Sequence, residues 1–135
     1  VAVEGYDRAM ERAEGCVDAG ADVLFIEAVT DLDQVKSAVD RFGTRVPLLV
    51  NMVEGGKTPL MPAPKLQTLG YSIVIFPGAL VRVLAHAAGE LFDTLRTHGE
   101  TAPYRDKMFD LAELNRLLGT DAMLAAGQRY SDGGG

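Results

Sequence analysis

Four features of this sequence have the chemistry to hold a small anionic molecule, and all four follow short apolar segments: Glu27, Asn51, Gly55-Gly56 and Arg82. A guanidinium can bind a carboxylate through two parallel hydrogen bonds. Each feature also has an ordinary interpretation. Glu27 can cap a loop, and Asn51 can bond its own backbone in a turn. The glycine pair can be a plain turn, and Arg82 can be a solvated surface residue.

Three apolar segments precede these residues and are predicted to be strands. They are Val23–Ile26, Pro47–Asn51 and Tyr71–Phe76, and the continuous apolar run of the first is typical of a strand buried on both faces of a parallel sheet. The segments are about two dozen residues apart, which indicates right-handed strand-helix-strand crossovers. Parallel α/β folds carry their sites at the carboxyl ends of their strands. The four features are therefore expected to converge at one edge of the sheet.

Helices are predicted between and after the strands, where apolar residues recur at spacings of three and four. The first is expected from Tyr6 to its stop at Gly20, and the second is expected to be capped by Thr30 or Asp31 and to stop at Gly43. Further helices are expected over roughly 65–69, 79–97, 106–118 and 121–130. The long helix over 79–97 is predicted to turn one apolar face inward, made of Val81, Leu84, Ala85, Ala88, Leu91, Phe92 and Leu95.

The composition excludes several classes of function. The chain has 135 residues, 47% of them hydrophobic, and a formal net charge of −6, which argues against binding to nucleic acid or to an anionic membrane surface. No apolar run reaches the roughly 18 residues of a membrane span. The single cysteine, Cys16, forms no internal disulfide and fits a reducing, cytoplasmic location. We expect it to fill the core from a helix rather than to act as a catalytic thiol.

Several strings occur in an order and spacing that resemble the isocitrate lyase / phosphoenolpyruvate mutase superfamily. The nine-residue string Asn51–Pro59 is the most specific, and it is most similar to the branch of 2,3-dimethylmalate lyase, methylisocitrate lyase and carboxyvinyl-carboxyphosphonate phosphorylmutase-like proteins. The resemblance extends over residues 6–130. The other strings are Arg12-Ala13, Ala19–Asp22, Phe25–Ala28, Leu66, Leu69–Tyr71, Phe76-Pro77, Phe109, Glu113-Leu114, Leu118-Gly119 and Arg129-Tyr130.

The resemblance implies that the chain is the C-terminal part of a (β/α)₈ TIM barrel. Residues 1–99 would supply the last three parallel strands with their helices, and residues 100–135 a C-terminal helical extension with a loose tail at Gly133–Gly135. Enzymes of this superfamily make or break a C–C or P–C bond next to a 2-oxo acid, with Mg²⁺ or Mn²⁺ stabilising the developing charge. The family's metal-binding aspartates and its loop cysteine would precede Val1. No residue of this chain is therefore predicted to be a metal ligand, and the chain alone is expected to be inactive.

The resemblance also assigns expected roles to individual residues. Glu27 resembles the catalytic glutamate that lies near the metal-bound water and the substrate. Asn51, with the backbone of Met52 and Val53, resembles the contact to a substrate carboxylate. Arg82 falls where methylisocitrate lyases place a substrate-binding arginine, and the start of a helix adds positive potential there.

The activity expected from the resemblance is that of a metal-dependent lyase. The parent would cleave a C–C bond of a substituted malate or related 2-hydroxy acid to give a 2-oxo acid. Leu111 stands where methylisocitrate lyases carry a further arginine, which favours a substrate smaller than a tricarboxylate. A phosphonomutase, an oxaloacetate hydrolase and a non-enzymatic half-barrel assembly module stay open as alternatives. The expected partners are a small carboxylate substrate and further copies of the chain, joined as a homo-oligomer through swapped C-terminal helices.

Overall fold

The computed structural model describes residues 1–132, which alternate helices with three short strands. The predicted loose tail at Gly133–Gly135 lies outside the described residues. The chain divides into two compact units, the first being Val1–Val83 and the second starting at Leu84. The elements are α1 (Tyr6–Asp18), β1 (Leu24–Phe25), α2 (Leu32–Phe42), β2 (Leu48–Asn51), α3 (Ala63–Leu69), β3 (Ile73–Ile75), α4 (Ala79–His98), a 3₁₀ turn (Ala102–Lys107), α5 (Leu111–Leu118) and α6 (Thr120–Asp132).

The three strands form one parallel sheet in the order β1-β2-β3. Leu24 pairs with Leu48, and Asn51 pairs with Ile75 at the other end of the sheet. This confirms an α/β fold with three parallel strands. The strands are buried on one face rather than on both, since Phe25 is 41% exposed. No helix of residues 1–132 has the length and the apolar character that crossing a membrane requires.

Helices α1, α2 and α3 enclose the core of the first unit against the sheet. Asp31 is the cap that starts α2, because its carboxylate accepts from the Gln34 N–H at 2.8 Å. The hydroxyl of the buried Tyr71 donates to the carbonyl of Val35 at 3.4 Å. Burial raises the pKa of Tyr71 to about 12. The core residues are Met10, Ala13, Leu24, Val29, Val35, Phe42, Val46, Leu48, Val50, Met52, Met61, Leu66 and Tyr71.

The expectation that Cys16 fills the core is wrong. The thiol is exposed, whereas Met10 and Ala13 supply the buried face of α1. Cys16 lies in a shallow cleft with Leu24, on the side of β1 that has no neighbouring strand in the described residues. The spacing of apolar residues placed Cys16 near the helix face that packs, but the end of that face is left uncovered.

The inward apolar face predicted for the long helix is also wrong. None of the residues of α4 is buried, and Val81, Leu84 and Phe92 are all more than half exposed. The helix forms because its apolar and small residues favour it, but the described chain does not cover its apolar side chains. The segment predicted as one helix from residue 106 begins instead at Leu111, where Asp110 and Glu113 cap each other's backbone N–H groups.

A polar cluster in the second unit fastens the 3₁₀ turn to α4. The hydroxyl of Tyr104 lies 3.2 Å from the carbonyl of Ala87 and 3.1 Å from the carboxylate of Glu90. The ammonium of Lys107 donates to the same Glu90 carboxylate at 2.9 Å. The bonds from Lys107 and then from Tyr104 lower the pKa of the Glu90 carboxyl. The turn is therefore held by a phenol and an ion pair.

Candidate functional site

A cavity of about 230 Å³ opens at the carboxyl ends of β1 and β2. Its polar lining comes from two sources. Glu27 and Asn51 follow or end the two strands, and Lys57 and Thr58 come from the loop after β2. Apolar side chains, among them Val53, supply the rest of the wall. The predicted convergence of Glu27 and Asn51 at one edge of the sheet is thus present in the structure.

The backbone beside Glu27 is strained. Ala28 has a φ of 61°, in the left-handed region that non-glycine residues rarely occupy. Such strain is common at functional sites, where the surrounding structure enforces it. Glu27 is exposed and lines the cavity, and its carboxylate forms no hydrogen bond or ion pair with residues 1–130. It is therefore available to accept a proton or a hydrogen bond from a bound molecule.

Asn51 brings an unsatisfied amide to the same cavity. Its Oδ1 atom is buried and has no hydrogen-bond partner in the described chain. Leaving a buried acceptor unpaired costs about 1–3 kcal/mol, so native structures rarely do it without a reason. A ligand that donates a hydrogen bond, such as a hydroxyl, would reach this atom once the Asn51 side chain turns towards the cavity, and the amide nitrogen could then donate to a carboxylate.

The two residues after Asn51 differ in their relation to the cavity. Met52 is 1% exposed and points into the core, and its N–H donates to the carbonyl of Ile75 at 2.9 Å within the sheet. Its backbone donor is therefore already used. Val53 lines the cavity, and its carbonyl accepts from the Gly56 N–H at 2.9 Å. Of this pair, only Val53 contacts the space in which a ligand would lie.

Gly55 and Gly56 form a turn in which residues with a side chain would strain the backbone. The Gly56-to-Val53 hydrogen bond closes a β-turn, and Gly55 occupies its third position with a φ of 78°. That position demands glycine in type II turns. A Cβ on Gly56 would lie 2.9 Å from the carbonyl oxygen of Val53, which is too close. The turn sets the direction in which the next two residues, Lys57 and Thr58, leave for the cavity.

Arg82 does not line the cavity but holds this turn. Its Nη1 atom donates to the carbonyl oxygen of Glu54 at 3.0 Å and to the carboxylate of Glu54, also at 3.0 Å. Sequence reasoning missed Glu54, Lys57 and Thr58 as site residues. All three belong to the string Asn51–Pro59, and the specificity of that string could have indicated that they lie at the site.

The described residues do not fit a complete divalent metal site. No group of three or more His, Cys, Asp or Glu side chains in residues 1–130 is close enough to hold a metal ion. Glu27 is the single carboxylate that lines the cavity in this part of the chain. Mg²⁺ prefers octahedral coordination by oxygen, and one carboxylate with one amide falls well short of it.

Comparison with known sequences places the chain in a family. The sequence model described as phosphoenolpyruvate phosphomutase matches residues 2–96. The chain is 36% identical to 2,3-dimethylmalate lyase of Eubacterium barkeri over 132 residues, 96% of this chain and 44% of that protein. It is 39% identical to the probable 2-methylisocitrate lyase 2 of Corynebacterium glutamicum over 119 residues, 86% of this chain and 37% of that protein. The chain thus spans less than half the length of these relatives, which are named as lyases.

Solved structures of the same superfamily superpose on the fold. A crystal structure of 2,3-dimethylmalate lyase, a member of the PEP mutase/isocitrate lyase superfamily, matches 95% of this chain and 42% of its own with a TM-score of 0.85 and 30% identity. Oxaloacetate acetylhydrolase matches 98% and 45% with a TM-score of 0.79 and 29% identity. Phosphonopyruvate hydrolase, in complex with oxalate and Mg²⁺, matches 93% and 44% with a TM-score of 0.72 and 25% identity. The predicted resemblance is confirmed, and the chain belongs to the phosphoenolpyruvate phosphomutase family.

Proposed function

We propose that the chain is the C-terminal part of a (β/α)₈ barrel lyase that cleaves a C–C bond of a substituted malate or related 2-hydroxy acid to give a 2-oxo acid. The observation that carries the proposal is the unpaired amide of Asn51 beside the free carboxylate of Glu27, in one cavity at the strand ends. The relatives named as lyases support the reaction type.

The donor and acceptor pattern suits a 2-hydroxy acid. The hydroxyl of such an acid can donate to Asn51, and its carboxylate can accept from the amide nitrogen of the same side chain. Glu27 is placed to take the hydroxyl proton as general base. Loss of that proton makes the 2-oxo group as the C–C bond breaks. The electron pair of the broken bond stays on the departing carbon, which is then protonated.

Leu111 favours a small substrate. It stands where methylisocitrate lyases carry a further arginine, which supports a short acid with one or two carboxylates over a larger tricarboxylate. An oxaloacetate hydrolase is the second candidate, because oxaloacetate acetylhydrolase shares the fold at 29% identity and acts on a small dicarboxylate. A phosphonomutase of the same superfamily and a non-enzymatic half-barrel assembly module are the further alternatives.

A divalent metal, Mg²⁺ or Mn²⁺, would supply stabilisation of the enolate charge in the complete enzyme. Phosphonopyruvate hydrolase, which holds Mg²⁺ with oxalate, supports this part of the proposal. Glu27 is the one cavity carboxylate of the described residues that could lie near the ion. The remaining ligands would have to come from residues that precede this chain in its relatives, so this chain by itself should show no turnover.

Assembly and location are part of the same proposal. Leu111, Leu117 and Leu118 on α5 are each at least two-thirds exposed, although each is apolar. We expect copies of the chain to cover them as a homo-oligomer through the C-terminal helices. The single exposed cysteine is compatible with the reducing cytoplasm.

The test is a chimaera that joins the N-terminal part of E. barkeri 2,3-dimethylmalate lyase, up to the region matched here, to this chain. With Mg²⁺ or Mn²⁺ it should release a 2-oxo acid from dimethylmalate at an ordinary enzyme rate, on the order of 1 s⁻¹ or more. Glu27→Gln should abolish that release, and the 135-residue chain alone should release none. A folded chimaera that acts on neither dimethylmalate, methylisocitrate nor oxaloacetate would contradict the proposal.

A further inference from the structure

We propose that Lys57 binds the second carboxylate of a dicarboxylate substrate, and that Arg82 acts through Glu54 as a positioning residue for the turn that presents Lys57. The inference rests on the proposed function and names its specificity element. The family resemblance assigns substrate binding to Arg82. We instead assign the contact with the carboxylate to Lys57 and the positioning of Lys57 to Arg82.

The charges around the cavity single out Lys57. Lys57 lines the cavity together with Glu27 and Asn51, and it is the one cationic residue of the described chain that does so. Lys57 is exposed, and it forms no ion pair with residues 1–130. Most arginines near the core are paired, as Arg41 and Arg45 are with Glu14. An anion that enters beside the Glu27 carboxylate needs a cation opposite, and Lys57 is the group present to supply it.

The backbone fixes where Lys57 leaves the loop. The Val53–Gly56 turn is closed by a hydrogen bond of 2.9 Å, and its two glycines have geometries that a Cβ would disturb. Lys57 follows this turn directly, so its Cα position is set by the turn rather than by a flexible loop. Thr58, next in sequence, adds a hydroxyl to the same wall.

Arg82 contacts the other side of the same turn. Two hydrogen bonds of 3.0 Å join its Nη1 atom to the backbone and the side chain of Glu54, the second residue of the turn. The bond to the carbonyl holds the backbone, and the ion pair holds the guanidinium in place. Arg82 would then influence ligand binding without touching the ligand, because the turn that carries Lys57 would lose a tether if Arg82 were removed.

A matched pair of ligands measures the effect of the second carboxylate. Malate and lactate are both 2-hydroxy acids, and malate has one carboxylate more. A hydrogen bond between charged groups changes affinity by about 10- to 100-fold. We therefore expect this chain to bind malate about 10- to 100-fold more tightly than lactate, measured by NMR titration of the amide signals of Asn51 and Lys57.

Variants of this chain then locate the source of the preference. Lys57→Met should bring the malate affinity close to that of lactate, and Lys57→Arg should restore part of the preference. Lys65→Met is the matched control, since Lys65 lies on α3 and does not line the cavity. In the wild-type chain, Arg82→Gln should reduce the preference for malate over lactate. In the Lys57→Met variant, the same substitution should change the preference no further. Circular dichroism of each variant confirms that it is folded.

The outcomes separate this inference from the proposed function. A Lys57→Met variant that keeps the full malate preference overturns the inference and leaves the lyase proposal standing. An additive effect of Arg82→Gln in the Lys57→Met background shows that Arg82 touches the ligand itself and overturns the positioning role. A wild-type chain that binds neither acid, at up to hundreds of millimolar, overturns the inference, whereas the lyase proposal is decided separately by the turnover of the chimaera.

Discussion

The guanidinium of Arg82 lies against Glu54, with one nitrogen bonded at 3.0 Å both to the carbonyl and to the carboxylate of that residue. The contact joins the start of α4 to the turn after β2, 28 residues earlier in the chain. Both side chains are about half exposed, so the ion pair contributes at most about 1 kcal/mol to folding. Its importance is the geometry that it imposes on the turn beside the cavity.

Loss of either partner should therefore loosen the turn with little effect on global stability. We expect Arg82→Gln and Glu54→Gln each to speed the hydrogen exchange of the Gly56 N–H while shifting the free energy of unfolding by no more than about 1 kcal/mol. The double variant should exchange no faster than Arg82→Gln alone, because Arg82→Gln removes both hydrogen bonds and Glu54→Gln affects only the one to the carboxylate. Additive acceleration would show that the two side chains act separately.

The turn should not tolerate a side chain at Gly56. In Gly56→Ala the new Cβ would lie 2.9 Å from the carbonyl oxygen of Val53, so the backbone must shift. We expect a loss of about 1–3 kcal/mol in urea unfolding. Gly15→Ala is the control, since a Cβ at this position in α1 meets nothing within 4 Å and should stabilise the helix by about 0.5–1 kcal/mol. Equal effects of the two substitutions would contradict the geometry.

Tyr71 gives the fold an alkaline limit. Its pKa is raised from 10.0 to about 12, because burial disfavours the phenolate, with a smaller contribution from Tyr6. A raised folded-state pKa means that the contribution of Tyr71 to stability is complete below pH 10 and is lost as the pH rises towards about 12. Ultraviolet titration of tyrosinate should show a late step near that pH that Tyr71→Phe removes. A late step that persists in Tyr71→Phe would assign it to another tyrosine.

The polar cluster around Glu90 should make the second unit sensitive to acid. Lys107 and then Tyr104 lower the pKa of Glu90 below its ordinary 4.5. A lowered pKa means that the stabilising contribution is present above pH 4.5 and is lost as the pH falls through the folded-state value. We expect exchange of the 3₁₀-turn amides to accelerate over that acidic range, and Glu90→Gln to show fast exchange already at neutral pH. If Glu90→Gln leaves the exchange of these amides at neutral pH unchanged, the ionised Glu90 does not hold the turn.

The exposed leucines of α5 should control self-association. Burying a leucine contributes about 1.5–3 kcal/mol, and Leu117 is 67% exposed in the single chain. If copies of the chain cover it, Leu117→Asp should shift the sedimentation profile towards monomer. Ala112→Asp adds the same charge near the start of α5, where a helix accepts it, and should leave the association unchanged. A wild-type chain that sediments as a monomer at micromolar concentration would contradict the oligomer.

The sequence was sufficient to predict those site residues whose positions depend only on where the parallel strands end. Asn51 and Glu27 reach one cavity because parallel strands end at a common edge. The side chain of Met52 lies in the core, as alternation along a strand leads one to expect of the residue next to Asn51. The Arg82 contact could not be predicted, because it depends on how a loop and a helix 28 residues apart come together.

The spacing of apolar residues predicted helices but not whether their apolar faces are buried. The spacing in α4 correctly showed which residues share a face of the helix, but it could not show whether a partner for that face is present in the chain. Val81 and Phe92 are accordingly exposed although they recur at helical spacing. The same limit explains Cys16, which continues the spacing of the buried Met10 and Ala13 beyond the end of their packing surface.

The order of the strands in the sheet repeats their order in the chain, β1-β2-β3. During synthesis β2 and β3 therefore each emerge after the strand that they pair with first, and neither has to pass over another strand to reach it. Each connection between successive strands contains a single helix, α2 or α3, so little conformational entropy is lost when each pair of strands forms. Synthesis that stalls after β2 should leave a two-stranded sheet in the same register, rather than a mispaired one.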